Sequence, residues 1–219
     1  MLIHSPLQHP AVPAFPAPDP DPELSQLLAQ MQPCAVSFYR PGSVIYAQGA
    51  VAGPLHLVEY GTVRTCQFTA GGRRQVNAFH FAGEVFGFES GHAHHSYAES
   101  VDSTGIRVLR NNLDANGAAS VLSMALRALR QMEEHLLVLG KMSAAEKLAA
   151  FLLELRARQH AVGVIHLAMQ RNDIADYLGM SFETVSRILK VFKEAKLLRL
   201  HSVSKIEILD LAALKEIAG

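Results

Sequence analysis

The chain has 219 residues, 20 basic and 20 acidic side chains, and a hydrophobic share of 49%. That fits two modest domains with real cores and excludes a polybasic coat protein or an acidic tail. No apolar run reaches the ~18 residues of a membrane span. No basic segment precedes an apolar stretch near Met1, and two cysteines, Cys34 and Cys66, cannot build a disulfide scaffold or an all-cysteine metal site, so a cytoplasmic protein is expected.

Residues 1–22 hold seven of the ten prolines. Proline removes donors and blocks helix, so this segment reads as a flexible or polyproline-like tail. Leu24, Leu27, Leu28 and Met31 then recur at helical spacing, predicting a short helix over 23–32 before Pro33. From Phe38 to Arg110 the texture becomes short apolar runs broken by glycine. Residues 55–60, 62–68 and 75–81 read as strands, with Gly71-Gly72 as a hairpin tip. Such punctuation implies an antiparallel sandwich or barrel.

After Asn116 the period changes. Leu122, Ala125, Leu129, Met132, Leu136 and Leu139 step by alternate threes and fours, a heptad seam on a helix over 116–140. So narrow a seam suits a second helix; packing on the helix's own domain is the alternative. Ser143 and Glu146 form an S-x-x-E capping box. It opens a helix over 144–158 with Leu148, Phe151, Leu152 and Leu155 on one face. Residues 160–166 form a linker or short strand.

The sharpest signal runs from Arg171 to Lys190 and reads as helix, turn, helix. Ala175 is small where two helices cross, Gly179 permits a sharp turn, and Ser181 can cap the second helix. Ile174, Leu178, Val185, Ile188 and Leu189 can form one small core. That leaves Phe182, Glu183, Ser186 and Arg187 outside, with Glu183 and Arg187 one helical turn apart. Such a helix can lay its N-terminal residues against base edges, arginine on guanine and glutamate on cytosine. A helical hairpin with a surface Glu–Arg pair is the alternative. Residues 197–200 and 206–209 suit a two-stranded wing. Lys190, Lys193, Lys196, Arg199 and Lys205 supply cations for phosphates. Residues 141–205 carry eleven basic and six acidic side chains, against eight and eleven in 1–140; a local basic excess marks either a polyanion-binding face or solvated surface.

From Met169 to Lys196 the sequence resembles the helix-turn-helix of the CRP/FNR superfamily of transcription regulators, and the resemblance covers nearly everything after Pro33. Arg40-Pro41-Gly42, Ile45-Tyr46 and Gln48-Gly49 look like the start of that family's cyclic-nucleotide-binding-type β-roll. Gly83-Glu84-Val85-Phe86-Gly87 looks like its phosphate-cassette region, and Lys147–Leu153 is similar to the first helix of its C-terminal domain. Phe182-Glu183-Thr184-Val185-Ser186-Arg187 is similar to the E-x-x-S-R reading helix of the FNR/FixK branch; CRP-type members carry Arg at 182 and Gly at 186.

The resemblance implies an α+β fold: a β-roll over 23–115, a dimerisation helix over 116–140 and a winged helix-turn-helix over 141–219. It implies no enzyme but a homodimeric regulator, an activator that binds double-stranded DNA and recruits RNA polymerase. The implied site is a palindrome close to TTGAT-N4-ATCAA. Phe182, Glu183, Ser186 and Arg187 would read bases, while Gln170, Arg171, Asn172, Ser181 and Thr184 would contact phosphates.

The family's ligands transfer poorly. His95-Ser96 stands where cyclic-nucleotide binders carry Arg-Ser, and imidazole is a weak substitute for a guanidinium clamp. The oxygen-sensing cysteines are absent, with Arg107 at the β-roll position. Gln170 stands where some FixK-type members carry a redox-reactive cysteine. No cofactor is therefore expected; a ligand-, haem- or metal-gated sensor is the alternative. His92, His94 and His95 lie in a Gly- and Ser-flanked loop and read as polar surface or, alternatively, a metal site. Cys34 and Cys66 read as small buried or partly buried thiols.

Overall fold

A computed structural model describes residues 22–30, 34–109, 115–140 and 143–219. Residues 1–21 of the proline-rich stretch and the expected end of the first helix at 31–32 lie outside the described residues.

Two antiparallel four-stranded sheets form the β-roll. One has the order β1 (Val36–Tyr39), β8 (Thr104–Leu109), β3 (Leu55–Tyr60), β6 (Val85–Phe86). The other has β2 (Val44–Tyr46), β7 (Tyr97–Ser100), β4 (Thr62–Phe68), β5 (Arg74–Phe81). The three strands expected from the sequence are β3, β4 and β5; their β-branched and aromatic residues fit a pleated, half-buried surface. Val58, Val63, Phe86, Ala98 and Ile106 fill the space between the sheets. Gly61 turns β3 into β4 at φ +83, where a side chain's first carbon would lie 2.5 Å from the Ser103 carbonyl oxygen. Only glycine fits there.

α1 (Pro22–Gln30) and the long helix α2 (Ala115–Gly140) pack together at one end of the roll. Leu24 and Leu27 meet Met124, Leu55, Leu57 and Leu109 there. The inward face of α2 is Gly117, Ser120, Met124 and His135. Its heptad seam points elsewhere: Leu122, Leu129, Met132 and Leu136 are all more than half exposed, Leu126 and Leu137 beside them are too, and Ala125 and Leu139 are half-buried. Within the chain this row is left largely uncovered, with Ala125, Leu129 and Met132 bordering a cavity on the β-roll side.

The C-terminal part holds α3 (Ala144–Arg158), β9 (Val164–His166), α4 (Arg171–Leu178), α5 (Phe182–Glu194), β10 (Leu198–Leu200), β11 (Lys205–Ile208) and α6 (Leu211–Ala218). Both halves of the Ser143–Glu146 capping box form and open α3. Three expectations need correction. The wing has three strands, in the order β10-β11-β9, because β9 pairs with β11. α6 was not foreseen; Asp210 caps it through the Ala213 N–H, and Leu214 docks it on α3. The helix-turn-helix has no separate small core. Its Ile174, Leu178, Val185, Ile188 and Leu189 join α3 and, from the β-roll, Cys66, Val76 and Phe79 in one cluster. Apolar residues left on the outer side of β4 and β5 thus become the floor of the C-terminal domain.

Among the described residues no helix is long and apolar enough to cross a membrane.

Candidate nucleic-acid interface

α4, a three-residue turn and α5 make the helix-turn-helix. Gly179 ends α4 in the left-handed region, φ +63, and its N–H returns to the Ala175 carbonyl oxygen. The Ser181 hydroxyl accepts the Thr184 N–H at 3.2 Å and starts α5. Val185, Ile188, Leu189 and Phe192 turn inward. Phe182, Glu183 and Arg187 are exposed and Ser186 is half-buried, so the four residues singled out as base readers share one outer face.

Electrostatics keep that face polar and available. The Glu183 carboxyl is held below the usual carboxylate range by its own backbone N–H and by the Ser181 hydroxyl, so at neutral pH it is an acceptor. Among the described residues no ion pair engages Arg187. Of the suggested phosphate contacts, Gln170, Asn172 and Ser181 are exposed while Arg171 and Thr184 are half-buried. Arg171 Nη1 lies 3.3 Å from the Ser186 hydroxyl, tying the start of α4 to the reading face. Lys190, Lys193, Lys196 and Lys205 are exposed. Arg199 is exposed too but is bonded to Glu207, which His201 also reaches. Asp173 and Asp176, which no sequence pattern singles out, face the β-roll instead of the outer face.

A cavity of about 440 Å³ lies between the β-roll and α2, with Tyr46, Glu84, Phe86, Glu89, Ser96 and Arg127 among its lining residues. Its two carboxylates are engaged. Glu84 bonds Arg158 at 2.6 Å, and Glu89 bonds His94 at 3.2 Å and His95 at 2.7 Å. His95 is turned to solvent, its side chain 69% exposed. Arg127, the guanidinium on this wall, is bonded to Glu23. His94 corrects the reading of its loop as polar surface: it is 4% exposed and stacks on Tyr46, ring centroids 3.7 Å apart. Burial pushes His56 and His80, on either side of Phe86, down to about 4, so both are neutral near pH 7. Among the described residues no group of three or more His, Cys, Asp or Glu is placed to hold a metal ion. Cys66 is fully buried, its thiol pushed up to about 11 by burial, and Cys34 is half-buried.

The Crp-like helix-turn-helix domain model matches residues 146–217, and the cyclic nucleotide-binding domain model matches residues 36–111. The nitrogen fixation regulation protein FixK of Rhizobium meliloti is 39% identical over 187 residues, 85% of this chain and 89% of that protein. FixK of Azorhizobium caulinodans is 34% identical over 213 residues, 92% of this chain and 85% of that one. Among solved structures, FixK2 from Bradyrhizobium japonicum superposes with a TM-score of 0.80 at 34% identity, covering 84% of this chain and 97% of that chain. Glu84, Glu89 and Arg127 thus share the wall of the β-roll cavity, while His95 is turned away to solvent.

Proposed function

The chain belongs to the CRP/FNR family as a FixK-like DNA-binding transcription regulator, and from that premise we propose that it acts as a homodimer, without cofactor, on a TTGAT-N4-ATCAA-like palindrome. The observation that carries this is the outer face of α5: Phe182, Glu183 and Arg187 stand exposed while the opposite face is buried in the core. A bidentate arginine suits guanine O6 and N7, a carboxylate accepts from cytosine N4, and phenylalanine suits a thymine methyl. Gln170, Arg171, Asn172, Ser181 and Thr184 hold register on phosphates.

Dimerisation supplies the second half-site. Leu122, Leu129, Met132 and Leu136 form an exposed apolar row on α2, and a second copy of the helix covers it, with Ala125 and Leu139 completing the seam. Two reading helices then address half-sites about one duplex turn, roughly 34 Å, apart. The bound dimer recruits RNA polymerase as an activator.

Cofactor independence rests on His95, turned to solvent where cyclic-nucleotide binders carry arginine, and on the missing oxygen-sensing cysteines. Fluorescence anisotropy of the palindromic duplex with chelator-treated protein tests the reading, with and without added cyclic nucleotide. Specific binding unchanged by the nucleotide is expected. Binding that appears only after a nucleotide, haem or metal is supplied makes the gated-sensor alternative correct.

A further inference from the structure

The DNA-binding part is held to the β-roll by three arginines that the reading of DNA does not use. Arg64 on β4 and Arg74 on β5 both reach Asp173 Oδ1 in the first turn of α4, at 2.9 and 2.5 Å. Arg74 also bonds Asp176 at 2.8 Å, and Arg64 bonds Glu99 at 2.8 Å. The second Asp173 oxygen accepts the Gln170 N–H at 3.1 Å, so one carboxylate, 4% exposed, caps α4 and takes two guanidinium groups. At the end of α3, Arg158 donates to both oxygens of Glu84 and to the Phe79 carbonyl oxygen. Its guanidinium lies 4.6 Å over the Phe81 ring.

These contacts do what the surrounding core cannot. Packing of Phe79 against Phe151 and Tyr177 is non-directional and tolerates small rotations. Guanidinium–carboxylate bonds are directional and are lost when one body turns on the other: Arg158 meets both oxygens of Glu84, while Arg64 and Arg74 each set one nitrogen on Asp173 Oδ1. Buried ion pairs contribute little net stability, and orientation is their better-attested use. The clamp closes within one turn of Gln170, Arg171 and Asn172 and leaves Phe182, Glu183 and Arg187 exposed, so it is compatible with bound DNA. Glu84 lines the cavity yet spends its carboxylate on Arg158, which makes the cavity wall itself a strut under the DNA-binding part.

We propose that Arg64, Arg74 and Arg158 are positioning residues that fix the helix-turn-helix on the β-roll, so that the spacing of two reading helices is set without an effector. This rests on the dimeric, palindrome-binding reading above. The test compares wild type, R64Q/R74Q, R64K/R74K and R158M on duplexes whose half-sites are separated by three, four or five base pairs. Melting temperature and dimer mass are measured alongside. In R64Q/R74Q and R158M the preference for one spacer over the others falls about fivefold to tenfold, while the base preference within each half-site is unchanged. R64K/R74K, which keeps the charge, recovers part of it. Should R64Q/R74Q fail to fold, D176N, which removes the more exposed partner's charge, carries the same readout. Folded, dimeric variants with the wild-type spacer profile overturn the clamp alone. A gain in affinity at the wild-type spacer also overturns it, because the contacts would then hold a non-reading orientation. A wild type that binds no duplex overturns both this inference and the reading beneath it.

Discussion

Glu183 and Arg187 lie four residues apart on the exposed side of α5, and no ion pair joins them among the described residues. Arg187 therefore keeps its donors for a base edge, and the Glu183 carboxylate, which accepts from its own N–H and the Ser181 hydroxyl, has acceptor positions left for one. Loss of a bidentate contact costs about 1–3 kcal/mol, so Arg187→Ala is expected to weaken binding by that amount and relax preference at one G·C pair. Arg171→Ala is expected to weaken all duplexes alike and to flatten the salt dependence; titrations across salt on cognate and G·C-substituted duplexes check both. The exposed face of α5 was legible in the sequence because helical periodicity alone sorts Val185 and Ile188 from Phe182 and Arg187. His94 was not, because only the fold brings Tyr46 onto its ring. Two buried histidines against Phe86 give a pH dependence. His56 and His80 take protons near 6.5 when unfolded but only near 4 when folded. Between those values the unfolded chain binds more protons, so stability is full above about pH 6.5 and falls as pH drops toward 4. The shift corresponds to about 3 kcal/mol for each ring. Thermal melting from pH 7.5 to 4.5 checks this, and His80→Asn should shrink the loss.

At the scale of elements, the informative case is α2, which has two apolar faces. One is covered within the chain at Met124 and at His135, whose ring stacks on Tyr177 at 3.8 Å. The other, from Leu122 to Leu136, is covered only if a partner arrives. Leu129→Glu with Leu136→Glu is expected to give a folded monomer with weak DNA binding, read by light scattering and anisotropy. A double variant that remains dimeric would place the interface elsewhere. Elements with a sustained period were legible: β3, β4, β5, α2, α3, α4 and α5 follow from alternation or from the helical repeat. The short ones were not individually legible. β6 has two residues and β2 has three, too few to show a pattern, and both are held by neighbours distant in sequence. α6 has only eight residues, and its Asp210 cap signals a helix only once α3 offers a surface for Leu214.

For the whole molecule, the central fact is that the two halves share a core and an ionic clamp. Cys66, Val76 and Phe79 of the β-roll lie under the helices of the DNA-binding part, and Arg64 reaches Asp173 across 109 positions of sequence. No local pattern signals a pair so far apart, which is why the family and the helix-turn-helix could be read from the sequence while the coupling between the halves could not. The basic excess of residues 141–205 and the free outer face of α5 belong to the same end of this account. Selection from random duplex DNA with chelator-treated, nucleotide-free protein tests it most directly. The account predicts enrichment of a TTGAT-N4-ATCAA-like palindrome bound by two chains; recovery of TGTGA-type half-sites, or of no palindrome at all, would contradict it.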